Sequence, residues 1–357
     1  MRPNAEIQFW CDKKFASQAR EIMGHFDKTI PVNTIIAGKF RRYNHLSALR
    51  QIFWPSLVLK NFGDSFLIVA GFFQSFVKLL IWRPDVVFTK GGYVCLPVGI
   101  AAHILGIPIV VHDSDAHPGL TNRILSLWAT AVTTGAPLEY YNYPANRTSY
   151  VGIPISDEFH VFSDKEQKLA KKEWEINETR PLIVITGGGL GASRINDAVV
   201  VELKDLLKLG SVVLISGNKQ YDEVNSITPQ NDDSFQLHAF ISHGMASLLG
   251  AADVVIARAG ATTILELASL KKPTILIPNA KLTGGHQIKN AAVYQAKNAA
   301  NVLDEDKMVE DPRILVDVVQ NILSNPDKSQ AMAQRLASFA RPNAASDVVD
   351  IILSSTK

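Results

Sequence analysis

Cysteine is almost absent. Cys11 and Cys95 are the only two in 357 residues, which excludes a disulfide framework and makes a reduced cytoplasmic setting the default. Net charge is nearly absent as well, at +2, so the totals imply no nucleic-acid-binding face and any basic function must come from a local patch. The opening "MRPNAEIQFW" has no charged stretch followed by an apolar run, so no secretory signal is expected there. One long apolar run does exist, Phe66 to Trp82, but Gln74, Ser75 and Lys78 interrupt it and it leads through Arg83 and Pro84 into strand-like "DVVFT". A helix lying on a surface is expected there rather than a membrane span.

What is present is an alternation of strands and helices. "EIQFWC", "DVVFTKG", "IPIVVHD", "LIVITGG", "SVVLISG", "DVVIARAG" and "PTILIPN" are apolar and rich in β-branched residues. Such runs, separated by helical patterns, indicate parallel sheets covered on both faces. Two stretches repeat one plan. "DVVFTKGGYVCLPVGIAAHILGIPIVV" from Asp85 and "DVVIARAGATTILELASLKKPTILI" from Asp253 each read strand, glycine turn, helix, strand, with Gly92 and Gly260 in the same place. The pattern predicts an α/β protein of two tandem Rossmann-like, doubly wound domains facing a cleft. The expected division falls after "YVGIP": an N-terminal acceptor-side and membrane-side domain over 1–154, a second domain over 155–339, and a last helix, about 340–357, packing back on the first.

The chemistry is expected beyond the carboxyl ends of the strands. "TGGGLGASR", from Thr186, follows a strand and opens a helix; its glycines would let backbone N–H groups approach a phosphate. It is neither a P-loop nor a strict GxGxxG, which favours a mononucleotide over a dinucleotide. A tight packing turn is the other reading. "RAGATT" repeats the arrangement, with Gly260 and Ala261 able to face a diphosphate and Glu266 further along the helix able to accept from a ribose diol, unless it simply faces solvent. In "NAKLTGGHQIKNA" the glycine pair with His286 and Gln287 reads as a polar lid or as a plain surface loop. "VVHDSDAHPGLTNR" contains paired aspartates, yet has no further acidic cluster, so a metal site is not expected. His112 and Asp113 are acceptor-side polar candidates or members of a loop-stabilising network.

Taken together, "TKGGYVCLPVGIAAHILGIPIVVHDSDAHPGLTNRIL", "GGGLGASRIN", "FISHGMASLLGAADVVIARAGATTILELA" and "GGHQIKNA" resemble the MurG family, GT-B enzymes of glycosyltransferase family 28. The resemblance runs from about Ala5 to "RPNAASDVVDII". It implies an inverting N-acetylglucosaminyltransferase that carries the sugar from UDP-GlcNAc to undecaprenyl-pyrophosphoryl-MurNAc-pentapeptide (lipid I to lipid II). That reaction belongs to peptidoglycan synthesis and so bears on cell shape and division. The implied setting is peripheral, on the anionic cytoplasmic face of the cell membrane, with no metal, cofactor or nucleic acid. Docking is expected through Phe72, Phe73, Phe76, Leu79, Leu80 and Trp82, helped by Lys39, Arg41, Arg42 and Lys78.

By this resemblance Glu266 holds the ribose. Ala261, Thr262, Thr263, Ile264 and Leu265 wrap the donor sugar and diphosphate, the backbone at Ile241 reads uracil, and Gln287, beside His286, meets the donor sugar. Three positions depart from the family pattern: Asp115 replaces an asparagine, Gly189 a serine and Ser156 an arginine. The family's N-terminal "GGTGGH"-like loop, with the histidine favoured as general base, has no counterpart before Asp85, so the catalytic base is unassigned. The chain is therefore expected to be a shortened reading of a longer gene, lacking the first strand and loop of its first domain and inactive as written. The alternatives are a related GT-B enzyme acting on another lipid such as diacylglycerol, a UDP-GlcNAc epimerase, a non-catalytic binding subunit and an inactive paralogue.

Overall fold

A computed structural model of the chain describes residues 5–39, 55–188, 191–229, 232–280 and 285–356. It forms two compact units. The first comprises Met1–Asp113, Pro118–Tyr150 and Asp347–Lys357, and the second comprises Ser114–His117 and Val151–Ser346.

In the first unit the strands are β1 (Phe9–Cys11), β2 (Val32–Thr34), β3 (Val87–Thr89), β4 (Ile109–Asp113), β5 (Ala131–Thr134) and β6 (Thr148–Tyr150). They alternate with helices α1 (Ala16–Phe26), α2 (Pro55–Trp82), α3 (Cys95–Ile104) and α4 (Leu120–Leu125). β3, β4, β5 and β6 form a parallel sheet in that order, while β1 and β2 pair separately, also in parallel. β4, "IVVHD", is buried at every position, as a strand covered on both faces requires.

The second unit contains β7 (Leu182–Thr186), β8 (Ser211–Ile215), β9 (Phe235–His238), β10 (Val254–Ala257), β11 (Thr274–Leu276) and β12 (Asn301–Val302). Its helices are α5 (Asp164–Glu173), α6 (Ser193–Leu209), α7 (Tyr221–Ile227), α8 (Met245–Ala251), α9 (Ala261–Ser269), α10 (His286–Ala296), α11 (Glu305–Glu310), α12 (Arg313–Ser324) and α13 (Pro326–Ala337). A last helix, α14 (Ala344–Ser354), closes the chain. The six strands are all parallel in the order β12-β11-β10-β7-β8-β9, a doubly wound sheet whose order reverses between β7 and β10. Ile183, Ile185, Val212, Leu214, Val254, Ile256 and Ile275, all from its strands, pack with Ile195, Leu206 and Leu315 in one core.

The run expected to lie on a surface is the 28-residue helix α2. Its Asn61–Trp82 segment is long and apolar enough to cross a membrane by length and composition, yet one face packs on the protein. Leu79 is 1% exposed, and Phe72 and Phe76 pack against the core built by α3, β3 and β4. At Gly71 an added Cβ would lie 1.9 Å from the Ile36 carbonyl oxygen, so only glycine permits this approach.

These contacts correct the expected docking set. Phe72, Phe76 and Leu79 face inward, Trp82 donates through its indole to Glu6 at 2.9 Å, and Lys78 donates to Asn33 and lies over the Trp10 ring. The outward stripe is Phe62, Phe66, Val69, Phe73, Val77 and Leu80, spaced three and four residues apart on one helical face. The sequence run was apolar on both sides, so helical period alone could not tell them apart. Lys39 is exposed; Arg41 and Arg42 lie outside the described residues.

Leu79→Ala is expected to destabilise the first unit by about 2–5 kcal/mol, because it removes a buried side chain and leaves a cavity. Phe73→Ala, on the outward stripe, should change stability by roughly 0.5 kcal/mol or less. Urea denaturation of both variants checks the assignment of faces. Equal losses would overturn it.

Candidate functional site

Strand order places two connections side by side at the carboxyl edge of the second sheet. β7 and β10 are hydrogen-bonded neighbours, with Thr186 opposite Ala257. From Thr186 the chain enters the glycine turn and then α6; from Ala257 it passes through Arg258, Ala259 and Gly260 into α9. Neither helix has a side-chain cap on its first N–H groups. In α9 the first turn-closing bond runs from the Ile264 N–H to the Gly260 carbonyl, which leaves the N–H groups of Ala261, Thr262 and Thr263 without an intrahelical acceptor. Two uncapped helix ends at a reversal of strand order favour an anionic ligand.

Gly191 has φ +71 and an added Cβ would lie 2.7 Å from the Ser216 carbonyl oxygen. Gly189 lies outside the described residues. The two repeat glycines differ in backbone. Gly92 has φ +86 and Gly260 has φ −72, so the sequence repeat is a repeat of topology but not of turn geometry.

Along α9, Ile264 and Leu265 are buried at 0% and 2% exposure. Their side chains belong to the core, which leaves only their backbone for a ligand. Thr262 and Glu266 share the open face four residues apart. The Glu266 carboxylate makes no hydrogen bond or ion pair to a described residue, and burial pushes its pKa up. A half-buried carboxylate without a protein partner is costly unless something accepts or supplies hydrogen bonds there.

Ile241 is buried just beyond β9. Gln287, in the first turn of α10, accepts from the Asn279 N–H at 2.8 Å. His286 Nδ1 lies 3.5 Å from Asp115 Oδ2, within ion-pair range but not aligned as a hydrogen bond. Its ring sits 6.4 Å from that of His117.

Asn290 is a residue the sequence did not single out. It is 2% exposed, donates to Asp115 Oδ1 at 3.0 Å and to the Ala259 carbonyl at 3.1 Å, and accepts from the Ala116 N–H at 2.9 Å. One amide thus ties Asp115 and α10 to the turn before α9. Ser156 is exposed; its hydroxyl accepts a long bond, 3.4 Å, from the Glu158 N–H, and its carbonyl accepts from the Phe159 N–H at 3.0 Å.

Arg258, Arg194 and Glu305 are also new. Arg258 and Glu305 are both buried and form an ion pair, and Arg194 reaches the second oxygen of Glu305 at 3.2 Å. Nothing in "NVLDEDK" marks Glu305 from its neighbours. Only the folded chain brings it to the strand ends.

In the first unit His112 is fully buried at the end of β4. Its Nδ1 pairs with Thr133 Oγ1 at 2.9 Å, while Nε2 has no hydrogen-bond partner among the described residues. Burial, with the nearby Lys90 ammonium, lowers its pKa to about 4. Asp113 accepts from the Tyr143 hydroxyl at 2.8 Å, and burial with this carboxylate pushes the phenol pKa up. The geometry favours a loop-stabilising network here over direct access to a substrate. Within "DSD", Asp113 and Asp115 are engaged by different partners, Tyr143 for one and Asn290 for the other.

Comparison with known proteins extends this picture. Residues 18–134 match the glycosyltransferase family 28 N-terminal domain and residues 182–348 match the glycosyltransferase family 28 C-terminal domain. The chain is 34% identical over 304 residues to the UDP-N-acetylglucosamine–N-acetylmuramyl-(pentapeptide) pyrophosphoryl-undecaprenol N-acetylglucosamine transferase of Clostridium kluyveri, covering 85% of this chain and 79% of that protein. To the protein of the same name from Geobacillus kaustophilus it is 33% identical, covering 87% and 81%. The crystal structure of Acinetobacter baumannii MurG matches with a TM-score of 0.71 at 24% identity, over 98% of this chain and 91% of that one. A UDP-GlcNAc 2-epimerase from Neisseria meningitidis matches with a TM-score of 0.62 at 13% identity, over 98% and 99%. The structural likenesses show the GT-B fold.

His112 supplies a pH prediction. Its pKa is about 4 in the folded chain and about 6.5 unfolded. The unfolded chain therefore binds the extra proton first, so this stabilisation is complete above about pH 6.5 and is lost as pH falls toward 4. An NMR titration, assigned with His112→Asn, should show the imidazole unprotonated down to about pH 5. A midpoint near 6.5 would contradict the burial seen here.

Proposed function

Because the chain belongs to glycosyltransferase family 28, we propose that it transfers N-acetylglucosamine from UDP-GlcNAc to undecaprenyl-pyrophosphoryl-MurNAc-pentapeptide, making lipid II from lipid I. The relatives at 34% and 33% identity carry this activity in their names. The observation that carries the reading within this chain is Glu266, a carboxylate without a partner among the described residues, on the open face of a helix that starts uncapped at the switch point.

In this reading Glu266 accepts both ribose hydroxyls of UDP, and the backbone at Ile241 meets uracil. The free N–H groups of Ala261 to Thr263 face the diphosphate, while Gln287 and His286 border the sugar. An acceptor hydroxyl attacks the anomeric carbon from the face opposite the diphosphate. The bond from that carbon to the diphosphate oxygen breaks, and UDP leaves with the electron pair. The uncapped helix end opposes the charge that develops on the leaving group. Inversion follows from the single displacement, and the acceptor's proton passes to a base that the described residues do not assign.

The acceptor's lipid chain calls for a membrane surface. The outward stripe of α2, from Phe62 through Phe66, Val69, Phe73 and Val77 to Leu80, suits peripheral docking at an anionic cytoplasmic leaflet. An epimerase of the same fold is the competing class, and it is separated by its independence of acceptor: it would convert UDP-GlcNAc alone.

Two results test this section. Glu266→Ala should weaken UDP binding by about 1.5–3 kcal/mol, the loss of a charged acceptor, with little change in stability. Calorimetric titration showing unchanged affinity would sink the ribose assignment. Replacing Phe66 and Phe73 together by Ser should reduce flotation with vesicles containing phosphatidylglycerol and leave turnover of a water-soluble acceptor intact. Flotation equal to the parent's would remove the stripe from the docking surface.

A further inference from the structure

We propose that Glu305 is a positioning residue of the donor site, a single buried carboxylate that sets the spacing of the connections leaving β7 and β10. The proposal rests on the UDP-sugar reading above and adds to it a residue on a different helix.

Glu305 opens α11 and is 5% exposed. Its Oε1 accepts from Arg258 Nη2, and its Oε2 accepts from Arg194 Nη1 at 3.2 Å. Arg258 directly follows β10 and stands two residues before Gly260, the N-cap of α9. Arg194 is the second residue of α6, directly beyond the glycine turn that leaves β7. Arg258 also donates through Nη1 to the Ile277 carbonyl at 3.0 Å, just past β11. One carboxylate therefore links the exits of β7 and β10, and through Arg258 the exit of β11.

The carboxylate is itself held in place. Asp304 caps α11 by accepting from the N–H groups of Asp306 and Lys307 at 2.9 and 3.0 Å. Asp306 in turn accepts from Arg194 Nη1 at 2.6 Å.

Stability alone is a weak reason for this arrangement. Taking charged groups out of water costs several kcal/mol per ion, and well-packed apolar residues of similar size often serve as well or better. What a guanidinium pair on one carboxylate provides is direction, because charge-assisted bonds to its two oxygens hold the chain bearing each arginine at a set angle and distance. Backbone N–H groups that meet a diphosphate must be held to within about 0.5 Å of the productive geometry. The two helix ends at the switch point come from separate connections, and among the described residues Glu305 is the side chain that bonds to both.

The test uses the full chain, with UDP calorimetry, donor and acceptor KM, kcat and a thermal melt measured for each variant. Glu305→Gln keeps the volume but turns an amide NH2 toward one guanidinium. Its donor KM and its UDP dissociation constant should rise about tenfold, with acceptor KM within about twofold of the parent. Glu305→Asp keeps the charge but loses the reach to both arginines, and it should be impaired to the same degree. Full rescue by Asp would overturn the positioning role.

Should Glu305→Gln fail to fold, Arg194→Gln breaks only the outer, partly exposed limb. It should raise donor KM several-fold at an unchanged melting midpoint. Folded variants with parental donor KM and UDP affinity would overturn the proposal while leaving the donor reading intact. A parent chain that binds no UDP would overturn both.

Discussion

The reversal of strand order between β7 and β10 is the constraint on which the candidate site depends. Sequential parallel strands need crossover helices, and β7 and β10 are neighbours only because the chain winds outward twice from the same central pair. That winding sends α6 and α9 away in opposite directions and leaves their N-termini adjacent at one edge. Both ends lack side-chain caps, so what meets them must come from outside the helices. Glu266, Gln287, Ile241 and the Glu305 network all acquire meaning from their position around this edge.

Much of this was legible in the sequence. The seven apolar runs contain strands of three to five residues, because short apolar segments, most of them rich in β-branched residues, pack best as buried strands between helices. Glycines follow "IVIT" and precede α9 after "VVIA", at the ends of β7 and β10 as expected. The strands that escaped notice, β2, β5, β6, β9 and β12, carry "VNT", "AVTT", "TSY", "FQLH" and "NV". They are short and partly polar, and they pair because a neighbouring strand already offers an unfilled edge. Their signal is tertiary, and a one-dimensional pattern does not contain it.

The side-chain networks were less legible for a related reason. Asn290 and Glu305 look like ordinary surface residues in sequence, yet both are nearly fully buried. Each is buried because several polar groups converge on it, and that convergence brings together segments as far apart as Arg194 and Glu305. Helix α2 illustrates the complementary limit. Hydrophobicity marked the whole segment, but only packing against α3 and the backbone at Ile36 decided which side faced inward.

The three departures from the family pattern fall where this architecture is tolerant. Ser156 is exposed with a long bond at its hydroxyl, and Asp115 keeps a polar partner in Asn290. Gly189 lies outside the described residues, and a backbone N–H donor is present in every residue type except proline. Recognition built from main-chain groups survives side-chain exchange as long as the turns keep their spacing. In the proposed reading, the residues under the strictest demand are Glu266, for which no backbone group substitutes as a two-oxygen acceptor, and the buried ion pair of Arg258 and Glu305. Side-chain identity matters most at the few positions where the backbone cannot do the same work.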